Sequence, residues 1–286
     1  MTTKPLVAAT DGSEESMRAA EWAAREAALH GAPLRIVAAA ELLPRMRTLA
    51  AGTGPDTVAD IMRENRDRAL DAAAKRAAAV APGLVIDTDP LSGPIAQAVT
   101  DSGSGSLMLV VGSRGSGSFA AMILGSVSRY AATHASCPVA VVRDEAIAAH
   151  GRVGVGIRDA ASRQDALAFA FEEAALRQAA LTALHAWHGP VGYGIQEATA
   201  RQLAELLASW QAKYPSVQVT QEVVHGHPGR ALAGLSARAD LTVLGGHAPH
   251  GHGPHGPGTV THAVLNHAHG PVVTVPTSPQ PTGKQP

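Results

Sequence analysis

The chain has 286 residues, 45% of them apolar and 16% charged, with a formal net charge of −1. That length suggests two domains of ordinary size. The balanced charge argues against a strongly basic nucleic-acid face, and no apolar run reaches the ~20 residues that a membrane helix needs. Aromatic residues are only 3%, so the cores must be Ala, Val and Leu on closely packed elements. MTTKPLVAAT enters a strand at once and carries no signal-peptide apolar region. The single cysteine, Cys137, precedes Pro138 at the start of a strand. It has no partner for an intramolecular disulfide, reads as a small buried residue, and suits a reducing cytoplasm.

Leu6 to Thr10 is strand-like, and Asp11-Gly12-Ser13-Glu14-Glu15-Ser16 follows. An Asp or Ser there can cap a helix, and the acids suit its first turn. The helix is predicted over Glu14 to His30, with Ala19, Trp22, Ala23 and Ala27 on one apolar face, and Gly31-Ala32-Pro33 ends it. A second strand is expected at Leu34 to Ala40. A long helix follows at about Asp56 to Val80, stopped by Pro82-Gly83, then a third strand at Leu84 to Thr88. Gly93-Pro94 opens a helix to about Ser102. A fourth strand at Leu107 to Val111, a glycine-rich loop, a helix and a fifth strand at Pro138 to Arg143 complete the series. Five strands alternating with four helices predict a doubly wound parallel sheet with helices on both faces, an α/β domain. Ligands of such sheets sit beyond the strand C-termini, where the strand order reverses. Asp11, Ala39 and Gly112 all fall on that edge.

The loop after the fourth strand carries the chemistry. Gly112, Gly115, Gly117 and Gly125 punctuate it, with Ser113, Ser116, Ser118, Ser126 and Ser128 between them. Glycine allows close approach of a ligand to the main chain. Backbone N–H groups followed by a helix N-terminus at Ser126–Ser128 suit a phosphate. No G-K-[ST] is present, so this is not a P-loop. Gly115 to Ala120 fits G-x-G-x-x-A loosely, but that fingerprint belongs at the first βα turn. A bare Gly/Ser surface loop is the bland alternative.

The spacing G-x2-G-x9-G-S, formed by Gly112, Gly115, Gly125 and Ser126, resembles the nucleotide signature of the universal stress protein superfamily, in its ATP-binding branch. The resemblance implies a five-stranded parallel sheet of order 3-2-1-4-5 in each copy. It also implies that Gly112, Gly115, Gly125 and Ser126 surround phosphates and ribose, with Val127 and Ser128 extending that wall. Asp11 would face the ribose or a magnesium ion, and Ala39 and Val111 would border the adenine. Arg114, inside G-x2-G, is placed to reach a phosphate or else to stand as a solvent-exposed loop arginine. The resemblance further implies pairing through the fifth strands, within the chain as a pseudo-dimer or between two chains as a homodimer.

A second copy begins near Arg152. Arg152 to Ile157, Leu181 to Ala186, Leu241 to Gly245 and Gly270 to Val275 repeat strands one, two, four and five, and Gly226-His227-Pro228 repeats the Gly93-Pro94 turn. The predicted domains are 1–145 and 151–276, with a Pro-rich disordered tail at 277–286. The second loop reads G-x2-A-x9-G-T: Ala248 replaces Gly115, His247 replaces Arg114, Ile157 or Arg158 replaces Asp11, and Pro249, Pro254 and Pro257 remove backbone donors. If the Gly115 position needs positive φ, Ala248 is strained there. A weak or absent nucleotide site is expected in this copy. Its histidines, His247, His250, His252, His255, His262, His267 and His269, have no accompanying acid or cysteine and match no tetrahedral spacing, so no metal site is assigned.

The sequence therefore points to an adenine-nucleotide (ATP) binding regulatory protein of the stress response, with magnesium as the candidate companion ion. Fast phosphoryl transfer needs a nucleophile, a base and neutralising charge. Near the loop the sequence offers only Arg114 and, across the cleft, Asp11, while His134 reads as structural. No catalytic residue is assigned; slow hydrolysis is compatible with this. The alternatives are an enzyme splitting ATP between its α and β phosphates, and a ligand-free interaction scaffold.

Overall fold

Short apolar runs alternating with amphipathic helices make two α/β units, Met1–Ala146 and Ile147–Pro286, in the computed structural model of the chain. The structure describes residues 4–40, 55–115, 124–143, 149–158, 164–187, 195–246 and 258–277. The expected tail, apart from Thr277, lies outside the described residues. So do most of the glycine-rich loop and His247, His250, His252 and His255.

In the first unit the elements run β1 (Leu6–Ala9), α1 (Glu14–His30), β2 (Leu34–Ala40), α2 (Pro55–Val80), β3 (Ile86–Ser92), α3 (Ile95–Ser102), β4 (Met108–Gly112), α4 (Ser126–His134) and β5 (Val139–Val142). Parallel pairing gives the order β3-β2-β1-β4-β5. β1 and β4 are fully buried, which is why they are continuous apolar runs rather than alternating ones. Helix α1 begins at Ser13, whose side chain accepts from the Ser16 N–H. It stops at Gly31, held in the left-handed region at φ 61°. Ala19, Ala20, Ala23, Ala24 and Ala27 are wholly buried on α1. Small side chains on this face bring the helix close to its neighbours, a route to a dense core with few aromatics.

One strand departs from its sequence prediction. β3 lies at Ile86–Ser92, not Leu84 to Thr88. Its register runs from Leu34 opposite Ile86 to Ala40 opposite Ser92 and carries Pro90 opposite Ala38. β3 ends the order of this unit, and such a strand tolerates a proline because its outward N–H needs no partner.

The second unit repeats the plan: β6 (Arg152–Ile157), α5 (Gln164–Arg177), β7 (Ala180–Trp187), α6 (Ile195–Lys213), β8 (Val219–His225), α7 (Pro228–Ser236), β9 (Leu241–Gly245), α8 (Thr259–His267) and β10 (Val272–Val275). Its order, β8-β7-β6-β9-β10, is again 3-2-1-4-5. Helix α6 has 19 residues where α2 has 26, part of the shortening of this copy. The registers align the two copies. Leu6 lies between Leu34 and Met108 as Val153 lies between Leu181 and Leu241. By that alignment Gly156 stands at Ala9 and Arg158 at Asp11, which decides between Ile157 and Arg158.

Candidate functional site

In the first unit the strand order reverses at β1 and β4, and the crevice beyond their C-termini is the cavity of interest. It encloses about 370 Å3. All ten candidate nucleotide-binding residues line it. Asp11 follows β1, Ala39 comes from β2, and Val111 and Gly112 end β4. Arg114 and Gly115 start the loop, and Gly125, Ser126, Val127 and Ser128 open α4.

The β1 side is an ordered turn. Gly12 takes φ 83°, a conformation that favours glycine. Asp11 Oδ1 accepts from the Ser13 N–H at 3.0 Å and from the Ser13 hydroxyl at 2.6 Å. Thr10 and Ser16, both buried, share a hydrogen bond of 3.0 Å between their hydroxyls. The Ser16 hydroxyl donates to the Ser13 carbonyl at 2.9 Å. The carboxylate is thereby held above the first turn of α1.

The β4 side is pinned at both ends. The Ser113 N–H donates to Val142 O at 2.8 Å, and the Gly125 N–H donates to Ser113 O at 2.8 Å. The buried Ser128 hydroxyl donates to Gly112 O at 2.6 Å. α4 starts at Gly125, in extended conformation, with no side chain capping it. The first N–H groups of a helix have no intrahelical partner, and the helix dipole adds positive potential there. This is the geometry that receives an anion.

The glycines have steric reasons that the sequence reading did not contain. Gly115 is not in the left-handed region, and its constraint is Asp11: a Cβ on Gly115 would collide with Asp11 Oδ2. The condition under which Ala248 would be strained, a positive φ at the Gly115 position, is therefore not met at Gly115. A Cβ on Gly112 would lie 3.2 Å from the Glu15 carbonyl group, so glycine here lets the first turn of α1 close on β4.

Charge is sparse. Among the described residues, the lining contains one carboxylate, Asp11, and one guanidinium, Arg114. The sequence between Arg114 and Arg129 has no charged residue. Nearby, Arg76 of α2 donates to Glu14 at 2.8 and 3.0 Å and to Glu21 at 2.5 Å. These hydrogen bonds hold the Glu14 carboxyl below its ordinary range. Cys137 is buried, and burial pushes its thiol up, away from the reactive thiolate. His134 lies in the last turn of α4, with Nδ1 3.0 Å from Tyr130 O and its ring stacked on Tyr130.

Five lining residues were not singled out from the sequence: Ala9, Thr10, Ser16, Ile95 and Val99. Ile95 and Val99 are one helical turn apart, a spacing that marks a shared face, and that signal was available. Thr10 and Ser16 meet only because of the turn at Gly12.

The second unit differs at the same place. A Cβ on Gly156 would lie 2.9 Å from Leu232 Cδ2 and 3.1 Å from Leu244 Cδ2. These leucines stand where the first unit has Val99 and Val111. Their longer side chains crowd over the strand end. Three histidines of the second loop region are described: His262 lies 3.0 Å from Asn266 through Nδ1, His267 ends α8, and the His269 N–H donates to Ser236.

A family model described as the universal stress protein family matches residues 2–143 and 150–276. A universal stress protein of Mycolicibacterium smegmatis is 34% identical, over 94% of this chain and 96% of its own length. Universal stress protein Rv2005c of Mycobacterium tuberculosis is 34% identical, over 94% of this chain and 95% of its own. The crystal structure of a universal stress protein from Archaeoglobus fulgidus shares the fold, with a TM-score of 0.72 at 18% identity over 96% of this chain and 99% of that one. No described helix is long and apolar enough to cross a membrane.

Proposed function

The chain belongs to the universal stress protein family as a tandem pair of its domains, and we propose that it binds an adenine nucleotide, ATP, in the first unit as a regulatory protein of the stress response. The observation that carries this reading is the cavity itself. Ten residues chosen from separate segments of the sequence line one space of about 370 Å3, a size suited to a small ligand. The N-terminus of α4 and Arg114 would take the phosphates. Magnesium arriving with the triphosphate would find Asp11 as the carboxylate of the site, and Ala39 and Val111 would border the base.

The reading is of a binding protein rather than a committed catalyst. Phosphoryl transfer is catalysed by several positioned charges acting together, and the described lining supplies one of each sign. Association of two chains is a further proposal, tested by solution mass at micromolar concentration, where a strict monomer refutes it.

The deciding experiment is calorimetric titration of magnesium ATP into the wild-type chain and into Gly115→Val. The expected result is one site per chain, lost in the variant, because the new side chain displaces Asp11. No binding at millimolar ATP refutes the proposal. Steady turnover at the ~1 per second or more typical of enzymes refutes the regulatory reading.

A further inference from the structure

The two units differ at the strand that ends each order, β3 in the first and β8 in the second. Each has seven residues, and no described strand lies beyond either. In a parallel ladder alternate residues bond to the neighbouring strand. The Leu34 N–H donates to Val85 O, so Ile86, Thr88, Pro90 and Ser92 turn their main-chain groups outward. The Leu181 N–H donates to Gln218 O and the Gly226 N–H to Trp187 O, so Val219, Gln221 and Val223 turn theirs outward in β8. Pro90 lies opposite Ala38, and Val223 lies opposite His185 at the matching place in the second unit. The first unit thus puts a residue without an N–H where the second presents the N–H of Val223. β3 also carries Asp87 and Asp89. Proline and charged side chains are devices that keep an open edge from pairing. β8, with the sequence VTQEVVH, has four β-branched residues and no proline or glycine. Its acid, Glu222, is gripped by both terminal nitrogens of Arg238, at 2.8 and 2.6 Å.

We propose that β8 is an interaction edge whose occupant is β8 of a second copy of this chain, paired antiparallel about a two-fold axis. The strand is self-complementary with Gln221 on the axis. Gln221 then faces its own counterpart, Val219 faces Val223, and Glu222 faces Thr220. Apolar meets apolar, and no charge meets its like. Val219, Gln221 and Val223 are the outward-turned residues, and each facing pair of them exchanges both N–H···O bonds. β3 of the second copy is a poor mate, because Pro90 and the two acids oppose pairing. That removes the open head-to-tail chain and leaves the closed pair. A ladder of this length is a small interface, so the association is weak and follows concentration. The proposal stands apart from the nucleotide reading. It gives the association of two chains a surface, and that surface is distinct from the fifth strands.

The test is the solution mass of the full-length wild-type chain, Val223→Pro and Gln221→Lys across the micromolar range, at low and high salt, with the unfolding midpoint of each in dilute solution. Val223→Pro removes an outward N–H and leaves the ladder to β7 intact, as Pro90 does in β3. Gln221 is exposed, and Gln221→Lys sets two like charges face to face on the axis. The wild-type mass is expected to rise with concentration toward twice that of the chain at both salts. Val223→Pro stays at half that limit. Gln221→Lys stays there at low salt and regains the dimer at high salt, where its charges are screened. The three midpoints agree. A wild-type chain that is monomeric throughout overturns the proposal and the association together. Dimers that survive in both variants overturn the β8 edge and leave the association to another surface. Loss of the dimer in Val223→Pro with a lowered midpoint, while Gln221→Lys still dimerises at low salt, assigns the loss to damaged folding and also overturns the proposal.

Discussion

Ser128 shows how a single hydroxyl organises the proposed site. It is buried, and it donates to the Gly112 carbonyl across 16 residues of chain. That bond ties the start of α4 to the end of β4 and so sets where the first N–H groups of the helix point. Ser128→Ala leaves a buried carbonyl short of a partner, a cost of about 1–3 kcal/mol. Chemical denaturation is expected to show that loss, and titration to show weaker ATP binding. Full stability in Ser128→Ala would mean that the carbonyl is satisfied otherwise. The motif contains Gly115, and the resemblance adds Ser128 beside it, but neither supplies the contacts that these residues make. A Cβ on Gly115 would displace the carboxylate of Asp11, a residue 104 positions earlier in the numbering. No local rule of backbone conformation contains that contact.

Elements were legible where their ends carry signals. α1 spans Glu14–His30 as predicted, because Ser13 caps it, Glu14 and Glu15 suit the dipole, and Gly31 ends it in the left-handed region. β2 spans Leu34–Ala40 for a similar reason, between a proline and a change of composition. β3 has no such punctuation, and pairing with β2 decides its register. Between elements, Arg76 joins α2 to Glu14 and Glu21 of α1. Its hydrogen bonds lower the Glu14 pKa from 4.5, so this contribution to stability is present above that value. It is lost as the pH falls through the lowered folded pKa. Arg76→Met is therefore expected to be less stable than wild type near neutral pH, with the difference shrinking as acid protonates Glu14. Thermal unfolding of both proteins across pH 3–7, a range set about that carboxylate value, checks the sign. A gap that is constant with pH would assign the effect to packing of the arginine stem. Exposed pairs contribute little, so high salt should also narrow the gap.

At the scale of the molecule, two copies of one plan have taken different chemistry. Val99 and Val111 leave room that Leu232 and Leu244 crowd in the second unit, and Arg158 stands at the position of Asp11. One ATP per chain is the expected stoichiometry, and Gly115→Val should leave no residual binding isotherm. Two sites per chain would show that the leucines move aside. The duplication was legible in the sequence itself, while the strand order of each copy and the ten candidate residues came from the family resemblance that the G-x2-G-x9-G-S spacing carries. Apolar runs, turn residues and glycine spacing are local, and each copy repeats them. What only the tertiary structure decided was the shape of the space those residues enclose. The Thr10–Ser16 pair, the Asp11–Gly115 contact, the exposed Ile95 and the leucines over Gly156 join residues remote in sequence or separated by a turn. Their distances follow from how helices and strands pack, and packing is a property of the assembled fold rather than of any segment within it.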